Sequence, residues 1–137
     1  MTIYALSSGP GLSGLAVIRI SGDKCIEIVK KMTKGDLPTP RVATLRKIKK
    51  IKSEELIDEG IILWFPGPNS YTGEDLLELH VHGGRAVIDA ILKSISEISD
   101  CRIAEPGEFT KLAFLNGKIN LLEAESISDL ISSETEI

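Results

Sequence analysis

The sequence is poor in cysteine, in aromatic residues and in long apolar runs. Two of its 137 residues are cysteines, and Trp, Tyr and Phe together make up 4%. Cys25 and Cys101 are far apart and have no metal-binding or redox spacing, which indicates a reducing compartment and packing roles for both thiols. The apolar runs are only a few residues long and no signal pattern precedes the first strand, so we expect a cytoplasmic protein with no membrane contact.

The sequence also lacks a phosphate-binding loop. No G-x-x-x-x-G-K-[ST] string is present, because Ile119 follows Gly117-Lys118 and Leu112 stands where the first glycine would be. This region alone is therefore not expected to hydrolyse GTP. Residues 9–14 (GPGLSG) match the G-x-G-x-x-G pattern, but a predicted strand follows them instead of a helix, which disfavours a dinucleotide site. We expect a glycine-rich loop between two strands, whose backbone amides could approach a flat ligand closely.

The charge distribution is uneven. The formal net charge of −4 gives no reason to expect a nucleic-acid-binding protein. Residues 41–52, however, contain six basic residues and no acid. Two interpretations stay open: lysines that guard an exposed edge strand against pairing, or a surface for RNA phosphates. The edge strand is the favoured interpretation.

Periodicity predicts an α+β domain with a mostly antiparallel sheet and packed helices. The predicted strands are 2–7, 16–20, 42–51, 56–65, 75–82 and 102–104, and the predicted helices are 23–32, 85–98, 106–116 and one that begins at Asn120. Ser21 and Gly22 are candidate caps of the first helix, and Pro106 is expected to open the third. The continuous apolar segment 61–65 predicts a strand covered on both faces. The last helix is interpreted as the start of a further helical region, which divides the chain into 1–118 and 119–137.

Three polar residues alternate with apolar ones near the middle of the chain. Glu78, His80 and His82 should lie on one face of a strand, with leucine and valine between them on the other. Three interpretations remain open: a solvated polar face, a metal site of two histidines and one carboxylate, or recognition of a heterocycle. A carboxylate could accept the parallel hydrogen bonds that the N–H and amino groups of a pterin or guanine donate.

Two cations are further candidates for binding. Arg19 interrupts an apolar strand, so its guanidinium either reaches water along a packed stem or pairs with a carboxylate of the protein or of a ligand. Lys118 follows a predicted helix end, where it either interacts with the helix dipole or contacts a phosphate or carboxylate.

Three segments resemble the MnmE/TrmE family of tRNA modification GTPases. They are residues 9–21 (GPGLSGLAVIRIS), 58–84 (DEGIILWFPGPNSYTGEDLLELHVHGG) and 103–130 (IAEPGEFTKLAFLNGKINLLEAESISDL). The resemblance implies a fold similar to the tetrahydrofolate-binding domains of one-carbon transfer enzymes. It also implies that the domain forms a homodimer and binds 5-formyl- or 5,10-methylene-tetrahydrofolate.

The same resemblance places the enzymatic activity elsewhere in a longer protein. It implies a GTPase domain that uses GTP, Mg and K, and an FAD-dependent partner, MnmG. The two proteins together form the aminomethyl or carboxymethylaminomethyl group at C5 of the tRNA wobble uridine. An alternative is a purely structural dimerisation module that binds no ligand in isolation.

The family's folate contacts correspond to Arg19, Glu78 and Lys118, and no catalytic residue or metal ligand is implied here. Glu78 would accept hydrogen bonds from the pterin, and the two cations would hold polar or carboxylate groups. Two positions depart from the family pattern. Val81 replaces a usual glycine, which could narrow the pocket floor, and Leu112 replaces a usual arginine, which weakens any claim that its stretch binds anions.

Overall fold

The fold is known from a computed structural model, which describes residues 1–8 and 14–136, with side chains as far as residue 128. The predicted glycine-rich loop thus lies largely outside the described residues. The elements are β1 (Thr2–Leu6), β2 (Leu15–Ser21), α1 (Cys25–Thr33), β3 (Thr44–Lys49), β4 (Leu56–Phe65), β5 (Leu76–His82), α2 (Arg85–Ser96), β6 (Cys101–Ile103), α3 (Glu108–Leu115) and α4 (Leu121–Glu136).

Six strands form one sheet in the order β3-β4-β5-β2-β1-β6. Every neighbouring pair is antiparallel except β1 and β6, which run parallel. The prediction of an α+β fold with a mostly antiparallel sheet is confirmed. The lysine-rich strand β3 is an edge of the sheet, as expected, and a strand rather than a helix follows the glycine-rich loop.

One face of the sheet is the hydrophobic core. Ile18 and Ile20 of β2 and Leu77 and Leu79 of β5 are at most 2% exposed. They belong to the same cluster as buried residues of α1 and α2, namely Cys25, Ile28, Val29, Met32, Ile91 and Ile95. Each large aliphatic side chain removed from water stabilises the fold by about 1.5–3 kcal/mol. We call this side the core face and the opposite side of the sheet the open face.

The expectation that β4 is covered on both faces is wrong. Ile62 and Trp64, on the core face, are buried, but Ile61, Leu63 and Phe65 on the open face are only partly buried. The contacts of α1 and α2 lie on the core face, so this continuous apolar segment leaves three of its five side chains partly in water. An apolar run alone does not distinguish this arrangement from full burial.

Two predicted helix starts are also wrong. Ser21 and Gly22 do not cap α1: the cap position is Lys24, whose backbone N–H donates to the Thr2 hydroxyl at 3.0 Å. Pro106 does not open α3, which begins at Glu108 after Gly107 in a left-handed conformation (φ 77°). That conformation suits glycine because it has no Cβ.

The predicted start of the last helix is confirmed. Asn120 Oδ1 accepts the backbone N–H of Glu123, and the Glu123 carboxylate accepts the backbone N–H of Asn120 in return. These reciprocal bonds satisfy N–H groups that a helix N-terminus leaves without partners. The division of the chain at residue 118 stays a prediction.

Candidate functional site: an ion pair beside an aromatic-lined hollow

The open face carries a charged pair at the centre of the sheet. The strand register aligns Ala5, Arg19, Glu78 and Leu63 in one row across β1, β2, β5 and β4. The Nε and Nη2 atoms of Arg19 both donate to Oε2 of Glu78, at 3.2 Å each. Arg19 therefore has a carboxylate partner within the protein, one of the two outcomes that its sequence position allowed.

His80 extends this pair along β5. Its Nε2 lies 2.9 Å from Oε1 of Glu78, so both carboxylate oxygens have partners. The side chains of Glu78, Arg19 and His80 are 14%, 29% and 31% exposed, respectively. A carboxylate offers about four acceptor positions, so Glu78 retains capacity for a further donor. The cluster is thus satisfied internally and can still receive a ligand.

Two aromatic rings flank the guanidinium of Arg19. Its Cζ atom lies 5.5 Å from the ring centroid of Tyr71 and 5.8 Å from that of Phe109. Contacts at this distance attract a cation to the electron-rich ring face by about 0.5–1 kcal/mol each. The chain has six aromatic residues, one Trp, two Tyr and three Phe, so two of the six lie at this one cation.

Sequence reasoning did not identify Tyr71 and Phe109. The one sequence signal for them is the scarcity of aromatic residues. Their proximity to the Arg19 guanidinium becomes visible only in the three-dimensional structure. Tyr71 belongs to the loop before β5 and Phe109 to α3, where the Tyr71 hydroxyl also lies 3.2 Å from that of Thr110. The loop and the helix are thereby joined at the site.

One buried and one partly buried hydrogen bond hold the Tyr71 loop in place. The hydroxyl of Thr72, which is fully buried, lies 2.8 Å from that of Ser21. On the other side, the amide of Asn116 donates to the Thr72 carbonyl at 2.7 Å. Each satisfied buried bond contributes about 1 kcal/mol. The loop is therefore fixed to β2 and to the end of α3.

A hollow of about 410 Å³ opens beside the ion pair. Its lining comes from the end of β1, from β2, from the loop before β5, from the loop before α3, from α3 and from one residue of α4. The lining residues are Ala5, Leu6, Ser7, Arg19, Tyr71, Ala104, Glu105, Pro106, Gly107, Phe109, Thr110 and Ile127. Arg19 is a cation in this lining, whereas Glu78 is not a lining residue and adjoins the hollow only through its ion pair with Arg19. A hollow of this size suits a small molecule, since such pockets range over roughly 300–1,000 Å³.

The wall formed by α3 is anchored by charge. Arg102 of β6 donates two hydrogen bonds to the Glu108 carboxylate, which also accepts the backbone N–H of Glu105 at 2.9 Å. The hydrogen bonds from Arg102 lower the pKa of Glu108 and outweigh the opposing effect of burial. A negative charge in the first turn of a helix is also favoured by the helix dipole.

His82 does not join the cluster at Glu78. Its Nδ1 lies 2.9 and 3.0 Å from the two carboxylate oxygens of Asp58, and its backbone N–H donates to the same carboxylate. Burial raises the pKa of Asp58, but the bonds from His82 reverse the effect and leave it lowered. The two histidines therefore pair with different carboxylates, and no group of metal-binding side chains occurs among the described residues.

Lys118 lies apart from the hollow. Its Cε atom is 3.3 Å from the position that a Cβ on Gly73 would occupy, so its stem runs along the Tyr71 loop. Its side chain is exposed and forms no ion pair within the described part of the chain. The structure thus brings Arg19 and Glu78 into contact, whereas Lys118 reaches only the loop that supplies Tyr71.

These features define an α+β domain with a small-molecule-sized hollow on the open face of its sheet. The chain belongs to the family described as GTP-binding protein TrmE N-terminus, which it matches over residues 2–118. It is 69% identical over its whole length to a tRNA modification GTPase MnmE from Pelagibacter ubique, of which it covers 31%. Over 98% of its length it is 52% identical to the mitochondrial 5-taurinomethyluridine-[tRNA] synthase subunit GTPB3 of Danio rerio, of which it covers 27%.

The human mitochondrial subunit of the same name is 50% identical over 98% of the chain, which covers 28% of it. The chain therefore spans less than a third of the length of these relatives. In the part of the chain that the structure describes, no helix combines the length and the apolar character needed to cross a bilayer.

Proposed function

We propose that this chain is the N-terminal domain of a tRNA modification GTPase and that its hollow binds a reduced folate as one-carbon donor. The folate would be 5-formyl- or 5,10-methylene-tetrahydrofolate. Family membership and the names of the relatives support the role in tRNA modification. The observation that carries the folate assignment is the ion pair of Arg19 and Glu78, adjoining a hollow flanked by Tyr71 and Phe109.

The chemistry of a pterin suits this arrangement. A pterin offers a ring N–H and an adjacent amino group. Glu78 already accepts three hydrogen bonds from Arg19 and His80, so about one of its four acceptor positions is left, and a pterin that donates two bonds would replace one of them. The rings of Tyr71 and Phe109 can stack on a flat heterocycle. Arg19 in the wall is a cation for polar or carboxylate groups of the folate, and Lys118, which lies on the Tyr71 loop outside the hollow, would contact only a part of the folate that extends beyond it. This domain would position the donor, a proximity effect, and would supply no catalytic acid or base.

The remaining chemistry would belong to the parts of the protein outside this chain. A GTPase domain would bind GTP, Mg and K and hydrolyse GTP. Together with the FAD-dependent MnmG, the protein would act in the cytoplasm and form the aminomethyl or carboxymethylaminomethyl group at C5 of the tRNA wobble uridine. This domain would also form the homodimer, and the partly buried apolar side chains of the open face, such as Ile61, Leu63 and Val17, support that role.

One observation favours a second candidate, a structural dimerisation module without a ligand. Both oxygens of Glu78 already have partners within the chain. No buried side-chain polar atom lacks a hydrogen bond among the described residues. The site therefore does not require a ligand for its own stability, and only binding measurements separate the two functions.

Calorimetry with 5-formyltetrahydrofolate tests the proposal. We expect binding in the micromolar range, or about −8 kcal/mol, that is lost in Glu78→Ala. Glu59→Ala is the matched control, because Glu59 is an exposed carboxylate in β4 outside the hollow. Absence of heat at millimolar folate, in protein that light scattering finds to be dimeric, would favour the structural module. Equal loss in the control would contradict a specific role of Glu78.

A further inference from the structure

A second hollow lies on the other side of the sheet. It has a volume of about 200 Å³ and lies between the turn that joins β3 to β4 and the second half of α2. Its lining is Lys50, Ile51, Lys52, Ser53, Ala90, Lys93, Ser94 and Glu97. We call it the lysine groove. Because α2 packs on the core face, this groove lies on the side of the sheet opposite the Arg19 hollow.

The groove is positively charged although the chain as a whole is acidic. Three lysines and one glutamate line it, so its local charge is positive against a net charge of −4 for the whole chain. Lys50 pairs with Glu55 at 3.2 Å. Lys52 and Lys93 form no ion pair within the described residues, so two ammonium groups at one hollow are available to an external anion.

Neither protection of an edge strand nor the helix dipole accounts for all three lysines of the groove. Lysines that guard an edge strand belong on that strand, as Lys47 and Lys49 do on β3. Lys52 lies beyond the end of β3, and Lys93 belongs to a helix. A cation in the last turn of α2 also stabilises the helix dipole, which explains Lys93 alone but not the two lysines opposite it.

We propose that the lysine groove holds phosphate groups of an RNA backbone. Ammonium groups and the Ser53 hydroxyl can donate to phosphate oxygens, and the groove has no aromatic side chain on which a base could stack. It is therefore suited to sequence-independent backbone contact. The inference rests on the proposed function, which makes tRNA the RNA concerned. Since the two hollows lie on opposite sides of the sheet, RNA in this groove would leave the folate site accessible.

Salt-dependent binding of tRNA to the full-length protein tests this proposal. Fluorescence anisotropy with a labelled, unmodified tRNA would be recorded between about 50 and 200 mM salt. We expect Lys52→Gln/Lys93→Gln to weaken binding roughly 5- to 10-fold at low salt. It should also reduce the slope of log affinity against log salt by about 1.5, because each lost phosphate contact removes roughly 0.7–0.9 from that slope.

The matched control is Arg85→Gln/Lys111→Gln, which removes the same charge from exposed positions outside the groove. It should change the affinity less than twofold. Equal weakening by both double variants, or weakening with an unchanged slope, would overturn the proposal. If the wild-type protein binds no tRNA, the tRNA part of the proposed function fails together with this inference. If it binds and the groove variant binds equally well, the inference alone fails. Unchanged thermal melting would exclude misfolding.

Discussion

The two faces of the sheet use neighbouring residues of the same strands for different purposes. In β2, Ile18 and Ile20 are fully buried on the core face, whereas Arg19 between them forms an ion pair on the open face. β5 repeats the pattern, with Glu78 between buried leucines. Burial on one face supplies stability, while the other presents charge and partly exposed apolar surface. Substitutions of adjacent residues should therefore separate folding from binding.

The largest effect should follow from truncation on the core face. Leu77 is fully buried, and Leu77→Ala should lower the free energy of unfolding by about 3 kcal/mol, from lost transfer energy and the cavity left behind. Urea denaturation would measure this loss. A cost below about 1 kcal/mol would mean that the core face is not the main source of stability.

Arg19→Met should affect binding more than folding. It removes the charge at the hollow and leaves Glu78 with His80 as its hydrogen-bond partner, at a cost of about 1 kcal/mol in stability. Folate affinity should fall at least roughly tenfold, or about 1.4 kcal/mol, as calorimetry would measure. Unchanged folate affinity in this variant would show that the ion pair is not part of the ligand site.

Glu108→Ala tests the charged anchor of the hollow's α3 wall. The pKa of Glu108 is lowered in the folded state, so its stabilisation is present at neutral pH and is lost as the pH falls through that lowered pKa. We expect the variant to be less stable than wild type by about 1 kcal/mol at pH 7, with the difference shrinking below about pH 4.3. Urea denaturation at several pH values would measure this, and a difference independent of pH would contradict the ion-pair explanation.

The smallest effect should follow from truncation on the open face. Leu63 is partly buried, so Leu63→Ala should cost about 1 kcal/mol or less in dilute protein. If a second copy of the chain covers this face, the cost should rise with protein concentration, because dimerisation stabilises only the folded state. Denaturation at two concentrations would distinguish a covered from an uncovered face.

The strands were more predictable than the site. Alternation in β5 correctly placed Glu78 and His80 on one face, because side-chain direction along a strand follows directly from sequence. The aromatic flanks of Arg19 could not be predicted, since Tyr71 and Phe109 come from a loop and a helix that only the tertiary fold brings together. The pairing of His82 with Asp58 was missed for the same reason.

The location of the ion pair in β2 and β5 also limits how this domain can change over evolution. These strands lie in the interior of the sheet, where a change of register would move every core side chain to the wrong face. The rest of the cavity wall comes from the end of β1, the Tyr71 loop, loop 104–107, α3 and one residue of α4. Substitutions there can alter the size and shape of an accepted molecule while the charged centre stays in place. Diversification of ligand preference among descendants of this domain is therefore expected at its periphery, with Arg19 and Glu78 retained.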